Sequence, residues 1–251
     1  QDMLVSQEAN NTAADFIKRK IRSIVKDPET AAILSDIDHP YAAKRPPIDT
    51  DYFETFNRAN VSLVNVKAAP IECISETGIR TTDAEYPVDI IVFATGFDAM
   101  TGPLLRMDIR GRDGVALKEV WEEGPRNYLG LQVAGFPNLF TITGPGSPSV
   151  LCNMPVAIEQ HVDWITDCIR HMRAQGLERI EARPEAVEKW VVEVNEAAHR
   201  TLLPRATHSW YLGANIPGKP RVFMPYAGGL VRYREICQTV AAEGYEGFTL
   251  S

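Results

Sequence analysis

The chain has 251 residues, of which 45% are hydrophobic and 24% are charged, and its net charge is −7. This length suits one or two domains with a sizeable core, and the composition is typical of a globular protein. The negative charge argues against a nucleic-acid-binding surface, which requires clustered positive charge.

Cysteine usage and hydropathy indicate the compartment. The four cysteines are widely spaced and form no C-x-x-C pair, so we expect four buried, reduced thiols in a cytoplasmic protein. No apolar run approaches the ~18 residues that a membrane-spanning helix needs, and no signal peptide is recognisable. Because the chain opens on Gln1 rather than methionine, we expect a fragment, a processed product or part of a longer polypeptide.

The first fifty residues predict two helices and a loop that carries adjacent cations. Apolar residues at helical spacing predict helices over 12–26 and 28–34. The proline-rich loop after them contains Lys44-Arg45-Pro46-Pro47. A residue before proline is extended, and successive side chains of extended backbone point to opposite sides. We therefore predict that Lys44 and Arg45 serve two different anions.

The middle of the chain changes to the period of strands. We expect strands over 61–66, 71–74 and 79–82. The segment Val88–Ala94 is apolar enough for a strand covered on both faces, as in a parallel sheet, and Leu139–Thr143 is predicted as a second buried strand.

Helices dominate the remainder. We expect a first long helix from about Pro155 that ends before Gly176, a second from Pro184, and a last one over about 233–244. Strands that end in glycine turns and lead into helices predict an α/β architecture with a helical C-terminal region.

The common catalytic signatures are absent. The five histidines show no recognisable metal-ligand spacing, so we expect no metal, and no G-x-S-x-G elbow exists. The phosphate-binding G-x-G-x-x-G is also missing, because Gly144-x-Gly146 lacks the third glycine. By these criteria the chain is not expected to hold a dinucleotide pyrophosphate by itself.

Three segments have the composition of ligand-binding loops. Asp89–Asp98 ends an apolar run in Ala-Thr-Gly, which suits close approach of backbone to a cofactor, or a simple strand-terminating turn. Gly144–Ser149 leads to a helix start whose positive dipole end suits negative charge, or it is a rigid turn that caps a core helix. Ser209–Pro220 surrounds Trp210 with glycine and proline, which suits a loop that closes over a ligand, or an ordinary surface loop.

In their joint order and spacing these motifs resemble the C-terminal half of Baeyer–Villiger monooxygenases, which are class B flavoprotein monooxygenases, and within them the phenylacetone and steroid monooxygenase group. The matching motifs are Lys44-Arg45-Pro46, Asp51–Arg58, Ala94–Gly102, Gly144–Ser149 and Gly213–Lys219.

The resemblance implies the fold and the division of the chain. It implies part of a flavoprotein with two dinucleotide-binding, Rossmann-like domains. Residues 1–94 would be the C-terminal part of the NADPH-binding domain. Residues 95–251 would be the C-terminal part of the FAD-binding domain, with the substrate-pocket and lid loops.

The resemblance also implies a reaction and its residues. NADPH would reduce FAD, dioxygen would form a flavin peroxide, and its attack on an aryl-alkyl or steroid-type ketone would give an ester or lactone. Arg45 would hold the peroxide anionic, since its guanidinium cannot lose its proton. Lys44 would pair with the 2′-phosphate of NADPH, and Trp210 would contact the nicotinamide end. The remaining implied residues are Met154, Thr95 and Gly96 for cofactor binding, and Ser149, Val150 and Leu151 for the ketone pocket.

The family's two glycine fingerprints and the motif between them are missing from this chain. Activity is therefore expected to need the N-terminal FAD-binding half of the same enzyme as a partner. One alternative is an inactive C-terminal fragment. Another is a sister flavin monooxygenase that oxygenates nitrogen or sulfur, which would use a neutral hydroperoxide and would not need Arg45.

Overall fold

Helices and strands are both present in the computed structural model, which describes residues 2–251. The helices are α1 Gln7–Ile24, α2 Pro28–Leu34, α3 Tyr52–Thr55, α4 Gly102–Leu105, α5 Leu117–Val120, α6 Met154–Ala174, α7 Pro184–His199 and α8 Leu230–Ala242. The strands are β1 Ile71–Ile74, β2 Gly78–Thr81, β3 Glu85–Pro87, β4 Ile180–Ala182 and β5 Phe248–Leu250. Two units divide the chain, a first that ends at Phe97 and a second that begins at Asp98.

In the first unit, α1 and α2 pack around a small apolar core of Ile21, Val25 and Ala31. The predicted start of α1 at residue 12 was wrong. The Ser6 hydroxyl accepts the Ala9 N–H at 3.3 Å and begins the helix earlier, whereas the Thr12 hydroxyl donates to a backbone carbonyl within the helix.

A three-stranded sheet follows in the first unit, in the order β1-β2-β3 with antiparallel pairs. The strands expected at 71–74 and 79–82 are confirmed within one residue. The strand expected at 61–66 is wrong, since that segment forms only turns and irregular structure.

The two strands predicted from apolar runs are also wrong. Val88–Ala94 forms no strand, and Ile90 and Val92 are exposed. A strand needs a neighbour for its backbone groups, and no described strand pairs with this segment. Leu139–Thr143 is irregular, although the Thr141 N–H donates to the Leu131 carbonyl. The described strand pairs are antiparallel, so the parallel sheet is not formed among residues 2–251.

The second unit has a large aromatic core. The helices α6, α7 and α8 and the antiparallel β4-β5 pair contribute most of its buried side chains, among them Trp164, Trp190, Tyr233 and Phe248, and the loop before α8 adds Tyr226. The three predicted long helices are confirmed, with α6 beginning at Met154 and α8 at Leu230. None of the helices described is long and apolar enough to cross a membrane.

Candidate functional site

The loop that carries the Lys-Arg pair is fixed to α1 by a buried asparagine. The Asn10 side chain donates to the Tyr41 carbonyl at 2.9 Å and accepts the Tyr41 N–H at 2.8 Å. Asn10 is 1% exposed, so both bonds are shielded from water. Ala43, which precedes the pair, is fully buried. The backbone is therefore anchored immediately before Lys44 and Arg45.

The two cations differ in their surroundings. Arg45 is exposed, and among residues 2–251 its guanidinium has no hydrogen-bond or ion-pair partner. Lys44 is half-buried and lies in the field of Asp38. Hydrogen bonds from His39 and then Lys67 hold the pKa of Asp38 well below its usual range, and the charge of Lys44 adds a smaller lowering. Arg45 is thus the more exposed of the two cations, and neither has a bonded partner among residues 2–251.

The Ala-Thr-Gly segment presents bare backbone. Thr95 and Gly96 are exposed and lie in irregular structure at the end of the first unit. Gly96 has φ +86°, which favours glycine. No atom lies within 4 Å of the position that a Cβ would take there, so a ligand could approach this backbone closely.

The glycine- and proline-rich loop of the second unit is held by hydrogen bonds on several sides. The Gly146 N–H donates to the Met224 carbonyl at 2.6 Å, and the Trp190 indole donates to the Gly146 carbonyl at 3.0 Å. The Tyr226 N–H donates to the Ser147 carbonyl at 2.7 Å. This loop is buried from Gly144 to Ser149. These bonds agree with one of the two interpretations of the sequence, in which Gly144–Ser149 is a rigid turn that precedes a core helix.

The predicted ketone-pocket residues form one turn that leads into α6. Ser149, Val150 and Leu151 make a 3-10 turn, and Asn153 caps the helix that begins at Met154. Ser149 is 2% exposed and has φ +44°. Left-handed backbone is rare for a residue with a Cβ, and such strain is often found at ligand sites.

Trp210 lies in a second 3-10 turn, Trp210–Leu212, of the second unit. The Ser209 hydroxyl accepts the Tyr211 N–H at 3.2 Å and begins the turn. The Trp210 ring is half-buried and meets the Tyr211 ring edge-on at 4.6 Å between centroids. No described residue accepts a hydrogen bond from its indole N–H, so the donor is free for a ligand.

The structure brings only part of the predicted set together. Ser149, Val150, Leu151 and Met154 share one continuous segment, and Trp210 lies in another loop of the same unit. Lys44, Arg45, Thr95 and Gly96 belong to two separate segments of the first unit. Among the described residues no group of histidine, cysteine and carboxylate side chains is placed to hold a metal ion.

Sequence reasoning missed a contact between two of its own motifs. The Lys219 ammonium lies 2.6 Å from a carboxylate oxygen of Asp98. Both residues stand inside segments that the sequence singled out, but they are separated by 121 positions. No local pattern reports such a pairing. It also missed Met100, whose sulfur lies 3.8 Å from the Ser149 hydroxyl.

The chain is similar to flavin monooxygenases over its whole length. A Baeyer–Villiger monooxygenase of Pseudooceanicola batsensis is 46% identical over 97% of this chain and 44% of its own length. A solved structure of oxidized steroid monooxygenase bound to NADP is 52% identical, with a TM-score of 0.91, over 99% of this chain and 47% of that chain. No protein-family model matches.

One further relative bears on the reaction. A phenazine N-monooxygenase of Lysobacter antibioticus is 43% identical over 99% of this chain and 45% of its own length. Overall similarity therefore does not separate oxygenation of ketones from oxygenation of nitrogen. The chain spans about half the length of the curated relatives it matches. The homologues of this chain are Baeyer–Villiger monooxygenases and related monooxygenases, and the chain matches slightly less than half of the length of each one.

Proposed function

We propose that this chain is the C-terminal half of an FAD- and NADPH-dependent Baeyer–Villiger monooxygenase. The complete enzyme, meaning the polypeptide with both halves, would insert one oxygen atom of O2 between a ketone carbonyl and a neighbouring carbon. The product is an ester or lactone, and the second oxygen atom leaves as water. The observation that carries the proposal is Arg45, an exposed guanidinium on an anchored loop that has no bonded partner in the described part of the chain.

The residues present fit the two cofactors without completing their sites. Bound FAD, reduced by NADPH, would supply the electrons that activate dioxygen. The open backbone at Gly96 and the helix start at Met154 suit contact with the flavin, while Thr95 would lie beside it. No phosphate-binding glycine fingerprint exists in the printed sequence, so we expect the pyrophosphate contacts to come from the other half.

The two cations would have separate tasks. Arg45 would stabilise negative charge on the attacking oxygen and on the ketone oxygen, since its guanidinium remains protonated at any working pH. Lys44 would bind the 2′-phosphate of NADPH.

The second unit would shape the substrate side. Ser149, Val150 and Leu151 would line the ketone pocket from their rigid 3-10 turn. Trp210 would donate its free indole N–H to the nicotinamide end and exclude water. We infer that residues 1–94 complete the NADPH-binding domain and residues 95–251 the FAD-binding domain. Aryl-alkyl and steroid-type ketones are the proposed substrates.

Exposed apolar residues support the N-terminal half as a partner. Ile90, Val92, Phe93 and Phe97 each expose between 70% and 86% of their surface. A contiguous apolar segment of this kind is typical of a surface that another chain segment covers. An inactive fragment, the alternative, would leave it uncovered. Four free cysteines support the cytoplasm as the compartment, although only Cys168 and Cys237 are buried as expected and Cys73 and Cys152 are half-buried.

The test is the identity of the product. The complete enzyme is supplied with NADPH and O2 and offered an aryl-alkyl ketone in one reaction and a phenazine in another, with products identified by mass spectrometry. The proposal expects an ester from the ketone at the higher kcat/KM. An N-oxide as the only oxygenated product would favour the nitrogen-oxygenating alternative.

A further inference from the structure

The turn that follows the Ala-Thr-Gly segment is bonded to the loop that carries Trp210. The Lys219 ammonium donates to the Asp98 carboxylate at 2.6 Å and to the Ala99 carbonyl at 2.9 Å. The Lys219 side chain is only 9% exposed. Arg106 also approaches Asp98, but at 3.7 Å and from a largely exposed position. Lys219 is therefore the shielded partner of this carboxylate.

The same turn contacts the predicted ketone pocket on its other side. The Met100 sulfur lies 3.8 Å from the Ser149 hydroxyl. Met100 and Ser149 have φ +63° and +44°, and this left-handed conformation is unfavourable for a residue with a Cβ. Two strained residues in contact indicate that surrounding bonds hold the turn against the Ser149 segment.

Lys219 also packs on the loop itself. A Cβ at Gly213 would lie 3.2 Å from the Lys219 Cδ and 3.0 Å from the Met224 Cε. The Met224 N–H donates to the Tyr211 carbonyl at 2.9 Å. The Lys219 stem thus packs against the base of the Trp210 loop near Gly213.

We propose that Lys219 and Asp98 are a positioning pair that holds the Trp210 loop on the Asp98–Thr101 turn and, through Met100, against Ser149. The pair links the segment predicted to contact NADPH with the segment predicted to contact the ketone. Neither residue touches the reacting atoms. The catalytic consequence rests on the proposed function, whereas the link between the two segments does not.

The chemistry of the pair distinguishes it from an ordinary surface ion pair. An ammonium that is nearly buried loses its hydration, and only its two oxygen acceptors replace that water. Exposed ion pairs such as that of Arg106 contribute little. Replacement of the Asp98 carboxylate by the amide of asparagine leaves the Lys219 ammonium with neutral acceptors and no counter-charge. We therefore expect the end of the Trp210 loop to leave the turn, so that the ammonium becomes hydrated.

The test is hydrogen–deuterium exchange of the complete enzyme with FAD bound, in the peptides that cover 209–220 and 147–153. The variants are Lys219→Met, which keeps the length of the stem, Asp98→Asn and the double variant. Lys219→Arg is the conservative replacement, and Arg106→Met is the matched control on the same carboxylate. The fraction of consumed NADPH that yields hydrogen peroxide instead of ester is measured in parallel.

We expect Lys219→Met and Asp98→Asn each to speed exchange in both peptides by about tenfold, with no further gain in the double variant. Both raise the hydrogen peroxide fraction, while Arg106→Met changes neither and Lys219→Arg restores slow exchange in part. Faster exchange confined to 209–220, or an equal effect of Arg106→Met, would overturn the proposal. If one of the two single variants fails to fold, the exchange rates of the other variant in the same two peptides test the proposal. If the unaltered enzyme forms no ester, but the variants change exchange in both peptides as expected, the link between the two segments is supported and the proposed function is refuted.

Discussion

The Nε2 atom of His161 lies 2.8 Å from the hydroxyl oxygen of Tyr233 in the core of the second unit. The Thr143 backbone N–H donates to the other ring nitrogen at 2.9 Å, and the Tyr233 hydroxyl donates to the Leu129 carbonyl. These partners fix the neutral tautomer with its proton on Nε2. The hydrogen bond to His161 holds the backbone of Thr143, which has φ +50°. Thr143 directly precedes the Gly144–Ser149 loop, which leads to the predicted ketone-pocket residues.

This histidine predicts loss of stability in acid. His161 is fully buried, and burial lowers its pKa to about 4 from the model-peptide value of 6.5. Between these values the unfolded chain binds a proton that the folded chain does not, so the free energy of unfolding falls as pH drops from 6.5 to 4. The loss is about 3 kcal/mol over the window.

Urea unfolding at several pH values checks this expectation. His161→Gln removes the titrating group and should give a shallower dependence on pH between 4 and 6.5. His199→Gln, on an exposed histidine of α7, is the matched control and should keep the original slope. Equal slopes in all three proteins would show that His161 does not bind its proton differently in the two states.

We predict that alanine substitution at two glycines of the Trp210 loop lowers the free energy of unfolding by different amounts. Gly213 and Gly218 have φ +69° and +76°, so a Cβ strains both. Nothing lies within 4 Å of a Cβ at Gly218, whereas Gly213 meets Met224 and Pro220 at 3.0 Å. Gly218→Ala should cost about 1 kcal/mol, and Gly213→Ala about 1–3 kcal/mol more.

Thermal and urea unfolding measure both glycine variants. Equal destabilisation would contradict the close packing of the loop base on Met224 and Lys219. Gly213→Ala should also weaken binding of NADP⁺, because it displaces the Trp210 turn, and Gly218→Ala should leave that binding within about twofold of the original.

Lys44 predicts the preference between the two nicotinamide coenzymes. If it binds the 2′-phosphate, Lys44→Ala in the complete enzyme raises the KM for NADPH by about 10- to 100-fold, the value of a hydrogen bond to a charged group. The KM for NADH should change little. Steady-state kinetics with both coenzymes measure the ratio, and Lys67→Ala is the control, because it removes an exposed lysine that forms an ion pair with the neighbouring Asp38. A similar rise for both coenzymes would count against the phosphate contact.

The sequence predicted the five longer helices α1, α2, α6, α7 and α8 and the strands β1 and β2, because their signals are local, but not the short helices α3 to α5 or the strands β3 to β5. Asp27-Pro28 at the start of α2 and the apolar stripe of α6 are readable from adjacent residues. The strand predicted at Val88–Ala94 failed for a non-local reason. Its composition is that of a buried strand, but strands form only in pairs, and the described chain supplies no neighbour.

The residues of the candidate site were predicted from the resemblance to a known family more than from the chemistry and spacing of the residues themselves. The motifs indicated Arg45 and Trp210, and the structure adds that neither side chain donates a hydrogen bond to another described residue. The pair of Asp98 and Lys219 could not be predicted, since contacts across 121 positions depend on the assembled fold. The strain at Ser149 was equally invisible, because serine carries no sequence signal for positive φ.

The most direct test of the account is the Arg45→Ala variant of the complete enzyme, in which flavin reduction and ester formation are measured separately. Stopped-flow absorbance follows the reduction of FAD by NADPH, and mass spectrometry follows the ester from an aryl-alkyl ketone. Arg45→Lys tests whether any cation suffices, and Arg19→Ala, an exposed arginine of α1, is the matched control.

We predict that Arg45→Ala keeps the rate of flavin reduction within about threefold but lowers ester formation by at least about 10³-fold, the scale of losing an electrostatic stabiliser of the transition state. Arg19→Ala should change neither rate. Ester formation by Arg45→Ala at the rate of the unaltered enzyme would contradict the central claim that this unpartnered guanidinium supports the oxygen insertion.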